Sequence, residues 1–199
     1  MEITIMFKRL SICLLLPLLL GGTLHAGEHR QAGTHEHEVA RLDLAQEGAQ
    51  IDLHLESPAM NLLGYEHMPS SDADRQVLEQ TLAQLRAADQ LFRFDAQAQC
   101  RLIGAAISTP LAGESGTDAM PHDTREEPGH DGDHAGDHEG HADIDADYRF
   151  ECARPDELRR LSLDLFRRFP ALQRLLVQFV TDQRQGGAEL TATNAELAL

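Results

Sequence analysis

From Glu38 to Ser57 the chain reads EVARLDLAQEGAQIDLHLES, two runs in which apolar and polar residues alternate on either side of Gly48. Alternate side chains of a strand point to opposite faces, so the pattern predicts a β-hairpin with one apolar and one wet face. Pairing residues whose numbers sum to 95 sets Leu42 opposite Leu53 and Leu44 opposite Ile51, and both apolar rows then share one face. Arg41, Asp43, Asp52, His54 and Glu56 fall on the other. Pro58 ends the second strand, and AMNLLGYEHMP reads as a short helical turn broken by Gly64 and closed by Pro69.

The period then lengthens. Val77, Leu78, Leu82, Leu85 and Leu91 recur at helical spacing behind Ser71, a capping residue, with Asp72 and Asp74 suited to the positive end of the helix. Strand character returns in CRLIGAAIS, which Pro110 stops, and again in DIDADYRFEC, LRRLSLDLF and RLLVQFVTD; GGAELT makes an antiparallel return. The predicted class is α+β: an antiparallel sheet with one main helix.

Between residues 113 and 142 the pattern lapses into acids, His, Gly and Pro. Such a segment has too little to bury to offset the ordering of its own backbone, so a disordered, mobile His/Asp-rich loop is expected in the metal-free protein. The start of the chain breaks the pattern differently. Lys8 and Arg9 precede the apolar run Leu10–Leu20, and GGTLHA ends at Ala26, as in a secretory signal peptide over residues 1–26. Eleven residues are too few to span a bilayer as a mature helix. One domain, residues 27–199, is expected to remain in the periplasm.

Export changes what charge and cysteine mean. The mature segment has 15 arginines and 32 acids, a balance of −17, which argues against nucleic acid and for a cation as partner. It retains Cys100 and Cys152. In an oxidising compartment such a pair is expected as a disulfide; zinc thiolates are the rival reading, and no CxxC supports them.

The insert holds His122, His130, His134, His138 and His141. A spacing of four would align three of them on a helix, but Gly129, Gly132, Gly136 and Gly140 each weaken that helix by roughly 1 kcal/mol. A solvating spacer needs no imidazole, whereas imidazole among carboxylates suits Zn²⁺, Ni²⁺ or Cu²⁺. An EF-hand from Asp131 fails, because its fifth and twelfth positions are Ala135 and Ala142. A zinc-peptidase HExxH fails because His138 and His141 are three apart, not four. Because flexible ligands must be ordered before they hold an ion, the insert is expected to provide several weak sites and the folded part a tight one.

For the tight site His35 and His37 stand out: at i and i+2 of extended chain they project to one side, roughly 7 Å apart. Glu66 and His67 offer an oxygen and a nitrogen on the turn between Gly64 and Pro69. His54, placed opposite Arg41, lies roughly 13 Å along the sheet from His37 and is expected to be an ordinary exposed sheet histidine.

HEHEVARLDL, LESPAMNLLGYEHMPSSDAD, the Cys100 strand, the His/Asp-rich insert, ADYRFEC and LFRRFPALQRLLVQFVT together resemble the ZrgA-type family of periplasmic zinc-uptake proteins. The resemblance implies an exported protein that binds zinc beside a zinc importer, with His35, His37, Glu66 and His67 at the matching positions and the insert adding histidines. Glu38 departs from it, standing where a Gly is expected after HEH, and adds charge beside the candidate site. The expected function is capture of Zn²⁺ and its transfer to an inner-membrane ABC-type importer. No nucleophile with a base and no phosphate loop suggests an enzyme. A nickel- or copper-binding protein, or an acidic envelope module that binds a protein partner, are the alternatives.

Overall fold

The computed structural model describes residues 37–113 and 142–199. The expected signal peptide, His35 and the histidines of the insert lie outside these residues. Nine strands and three helices follow in order: β1 (Val39–Glu47), β2 (Gln50–Pro58), α1 (Ala59–Leu63), α2 (Asp72–Arg86), β3 (Phe92–Phe94), β4 (Cys100–Ser108), β5 (Asp143–Cys152), β6 (Arg160–Leu163), α3 (Leu165–Arg168), β7 (Arg174–Val180), β8 (Gln185–Thr191) and β9 (Glu196–Ala198). The fold is α+β, with α2 as its main helix.

Six strands form one sheet in the order β4-β5-β2-β1-β7-β8, and β3-β6-β9 form a second. All neighbours are antiparallel except β1 and β7, which run parallel from Val39 opposite Arg174. Core-facing residues alternate along each central strand: Leu42 and Leu44 of β1, Ile51, Leu53 and Leu55 of β2, and Ile144, Ala146, Tyr148 and Phe150 of β5 are all buried. Leu78, Leu82 and Leu85 of α2 join the same core.

The hairpin register is shifted from the expected one. Leu42 pairs with Leu55 and Leu44 with Leu53, and Ile51 lies opposite Gln46. Gly48 takes φ of 55° as the first of two loop residues, the position a two-residue hairpin reserves for Gly, and this moves the turn by one residue. The sum changes by two, so each side chain keeps its face. Asp43, His54, Glu56 and Arg41 are exposed, as the alternation requires. His54 now faces Asp43 rather than Arg41, six residues from His37 along the strand, roughly 20 Å away.

Helix α2 begins as expected: Ser71 accepts from the Asp74 amide and Asp74 returns the capping-box contact. Two members of the expected stripe differ. Val77 is exposed, Thr81 takes its place among the buried positions, and Leu91, though buried, lies past the helix end at Arg86. LRRLSLDLF divides, because Asp164 ends β6 and opens α3, where its carboxylate binds Arg167 and Arg168.

Cys100 and Cys152 form a disulfide across 52 residues, directly opposite each other at one end of the β4–β5 pair. The thiolate reading is thereby excluded. At the other end of the same pair, Ser108 lies opposite Asp145, and here the chain leaves for the insert and returns from it. The sulfur staple and the two roots of the insert thus lie at opposite ends of one ribbon. Among the described residues no helix is long and apolar enough to cross a membrane.

Candidate metal site

The sheet end from which the insert departs also gathers the other candidate residues. Pro58, at the end of β2, pairs with Asp143 at the start of β5, and α1 begins at the next residue. The Ala59 amide donates to the Ala142 carbonyl at 2.8 Å, which fixes the returning root of the insert against the start of α1. Residue 141 is one peptide away. At the other end of α1, Gly64 adopts φ of 81° as a left-handed cap, with its amide on the Met60 carbonyl, and the reversal delivers Tyr65, Glu66 and His67.

His37 arrives from the side. Its Nε2 lies 3.5 Å from Oε1 of Glu66, whose side chain is only 8% exposed, while the imidazole is half open to solvent. Zinc bonds of roughly 2.0–2.1 Å in tetrahedral array separate neighbouring donor atoms by about 3.4 Å. The His37–Glu66 separation fits that spacing.

His67 sits apart from this pair. Its Nδ1 is 3.0 Å from the Met68 carbonyl and its ring stacks on Tyr65 at 4.9 Å between centroids; Tyr65 in turn donates its hydroxyl to the Asp74 carbonyl at 2.7 Å. With Nδ1–H donating to Met68, Nε2 would be the coordinating nitrogen. Of the three candidates among the described residues, two meet and the third borders them in sequence. No group of three His, Cys, Asp or Glu among the described residues is arranged to hold a metal. His35, His122, His130, His134, His138 and His141 lie outside them.

The backbone beside His37 is unusual. Glu38 has φ of 72°, in the left-handed region that favours glycine. This gives a physical reason for expecting Gly after HEH. The conformation is held from both sides: the Glu38 amide donates to Asn61 Oδ1 at 2.7 Å, and its carbonyl accepts from the Gln173 and Arg174 amides at 2.8 and 2.9 Å. Replacing Glu38 by Gly is expected to stabilise the protein by about 0.5–1 kcal/mol, since a left-handed non-glycine residue costs about 1–2 kcal/mol and the extra chain entropy of glycine takes back only part of that. A urea unfolding midpoint that fails to rise would contradict this.

Asn61 belongs to the site through its backbone contacts, which no metal-ligand pattern in the sequence marks. It is the one polar residue in AMNLL, 2% exposed, and a buried amide in an apolar run is itself a sign that hydrogen bonds await it.

His54 stands outside the site, as expected. Its Nδ1 is 2.8 Å from Asp147 Oδ1. Burial disfavours the charged ring, but the hydrogen bond and charge of Asp147, with Asp145 and Asp43 nearby, outweigh it and raise the pKa above the ordinary histidine value.

No curated protein matches the chain. The sequence model of the ZrgA family of zinc uptake proteins matches residues 34–199, from just ahead of the histidine doublet to the last residue. The match takes in the His37–Glu66 pair, the disulfide and every described strand, and the chain belongs to that family.

Proposed function

We propose that the mature protein works in the periplasm, captures Zn²⁺ and passes it to an inner-membrane ABC-type zinc importer, without catalysing a reaction. His35, His37, Glu66 and His67 form the tight site in this reading, and His122, His130, His134, His138 and His141 collect further ions and bring them to it. The observation that carries it is the approach of His37 Nε2 to a largely buried Glu66 carboxylate at 3.5 Å, at the sheet end where the insert is rooted. A carboxylate oxygen and an imidazole nitrogen at this separation are a donor pair suited to one shared Zn²⁺. Two donors do not complete a tetrahedral shell. The remaining donors would come from His35, from His67 and from the insert, of which His141 is nearest to a fixed root. Membership of a zinc uptake family supports zinc as the cargo.

Replacing residues 113–142 by a short Gly-Ser linker tests the division of labour. Zinc bound per chain at equilibrium with a saturating free concentration is expected to fall towards one ion, with the weaker ions of the insert lost. An unchanged count would remove the insert from zinc handling and favour an acidic module with incidental histidines.

A further inference from the structure

We infer that Asn61 is the positioning residue of the zinc site: a buried amide that locks Glu38 in its left-handed conformation and so keeps His37 facing Glu66. The inference rests on His37 and Glu66 being zinc ligands, as proposed above, and goes on to what orients them.

The Asn61 side chain uses both ends. Its Oδ1 accepts from the Glu38 amide at 2.7 Å, and its Nδ2 donates to the Val39 carbonyl at 2.8 Å and to Ser57 Oγ at 3.3 Å. One side chain from α1 therefore grips the backbone before and after the Glu38 α-carbon. On the far side the carbonyl of Glu38 is tied to the start of β7 by the Gln173 and Arg174 amides. The chain from Val39 onward thus enters the sheet as β1, paired with β7. The direction of the chain leading back to His37 is set by the Glu38 φ of 72°.

That angle is one a glutamate does not choose by itself. Without the acceptor on Asn61, the residue relaxes by more than 100° towards negative φ, and the peptide carrying His37 swings with it. Ligand imidazoles are ordinarily aimed by a partner of their own ring, and loss of such a partner costs about 10- to 100-fold in metal affinity. Here the aiming is done through the main chain. The same α1 that carries Asn61 delivers Glu66 five residues on, so one short element sets both halves of the pair. The Asn61 hydrogen bonds described above go to the Glu38 and Val39 backbone and to Ser57, so it acts as a positioning residue and not as a ligand.

The test is a double-mutant cycle on zinc affinity, measured for residues 27–199 by competition with a chelating dye in Asn61→Ala, His37→Ala and the double variant. Asn61→Ala is expected to weaken the tight site by about 10- to 100-fold. If it acts through His37, the double variant binds no more than about twofold more weakly than His37→Ala alone; a general structural role would multiply the two losses. Adding Glu38→Gly to Asn61→Ala is expected to recover part of the affinity, because glycine holds positive φ without a latch. A zinc affinity in Asn61→Ala within twofold of the parent, with His37→Ala clearly weakened, overturns the inference and leaves the ligand reading standing. Unchanged affinity in His37→Ala overturns both. Should Asn61→Ala not fold, hydrogen exchange on the unaltered protein decides: the Glu38 amide is expected to be protected at least about a hundredfold, and exchange at the rate of a free peptide overturns the latch.

Discussion

Reduction of the Cys100–Cys152 disulfide lowers the unfolding free energy by about 4 kcal/mol, the loop-closure entropy released when 52 residues are no longer tied. Domains of this size are stable by about 5–15 kcal/mol, so a large share of the total is at stake. The bond joins directly opposed residues of neighbouring strands; the native sheet therefore keeps its register without it, and the effect falls mainly on the unfolded chain. Urea unfolding with and without reductant gives the difference. Excising residues 113–142 shortens the closed loop to about 22 residues and is expected to reduce the benefit of the disulfide by about 0.8 kcal/mol. A reduction penalty below about 1 kcal/mol would show that the staple restrains little.

The second large effect is of pH on zinc affinity. Protons compete for the imidazole lone pair, so ligation weakens as pH falls through the ordinary histidine range near 6.5. Between pH 7.5 and 5 the loss is about 30-fold for each coordinating imidazole, and about 10³-fold if two share the ion. The fall must reflect ligation and not unfolding, and the shifted groups indicate that it does. His54 has a raised pKa through Asp147, despite the opposing effect of its burial; its contribution to stability is complete below the unfolded value near 6.5 and is lost only as pH rises through the folded one. Asp74, held by the Ser70 amide and the Ser71 hydroxyl, and Asp164, held by Arg167, have lowered pKa values. Their contribution is present above the unfolded carboxylate range and lost as pH drops through the depressed values, below pH 5. Calorimetric titrations at the two pH values, with circular dichroism confirming the fold at pH 5, separate the cases. Equal affinity at both would exclude histidine ligation.

Local pattern made most of the elements legible. Alternation from Val39 to Ser57 identified the hairpin and its wet face even though the register was two off, because a shift by two leaves every side chain on its own face. Ser71 and Asp74 marked the start of α2. What did not show were elements held by distant partners. Strands β3 and β9 are three residues each and exist because β6 lies between them, and nothing local to RLLVQFV says that β7 will lie parallel to β1. The candidate site divides in the same way. His37 and Glu66 were legible from residue type, and their approach depends on a reversal at Gly64 and a positive φ at Glu38 that no periodicity reveals. Glu38 itself was noticed only as a departure from glycine, which the backbone explains.

Whether the mature chain retains zinc decides whether His37 and Glu66 hold an ion. Residues 27–199, stripped of metal and dialysed to equilibrium against micromolar Zn²⁺ at pH 7.5, should hold at least one ion per chain, with His37→Ala and Glu66→Ala each lowering the amount held at the lowest free zinc. A protein side that equilibrates with no zinc above the free concentration would contradict the account.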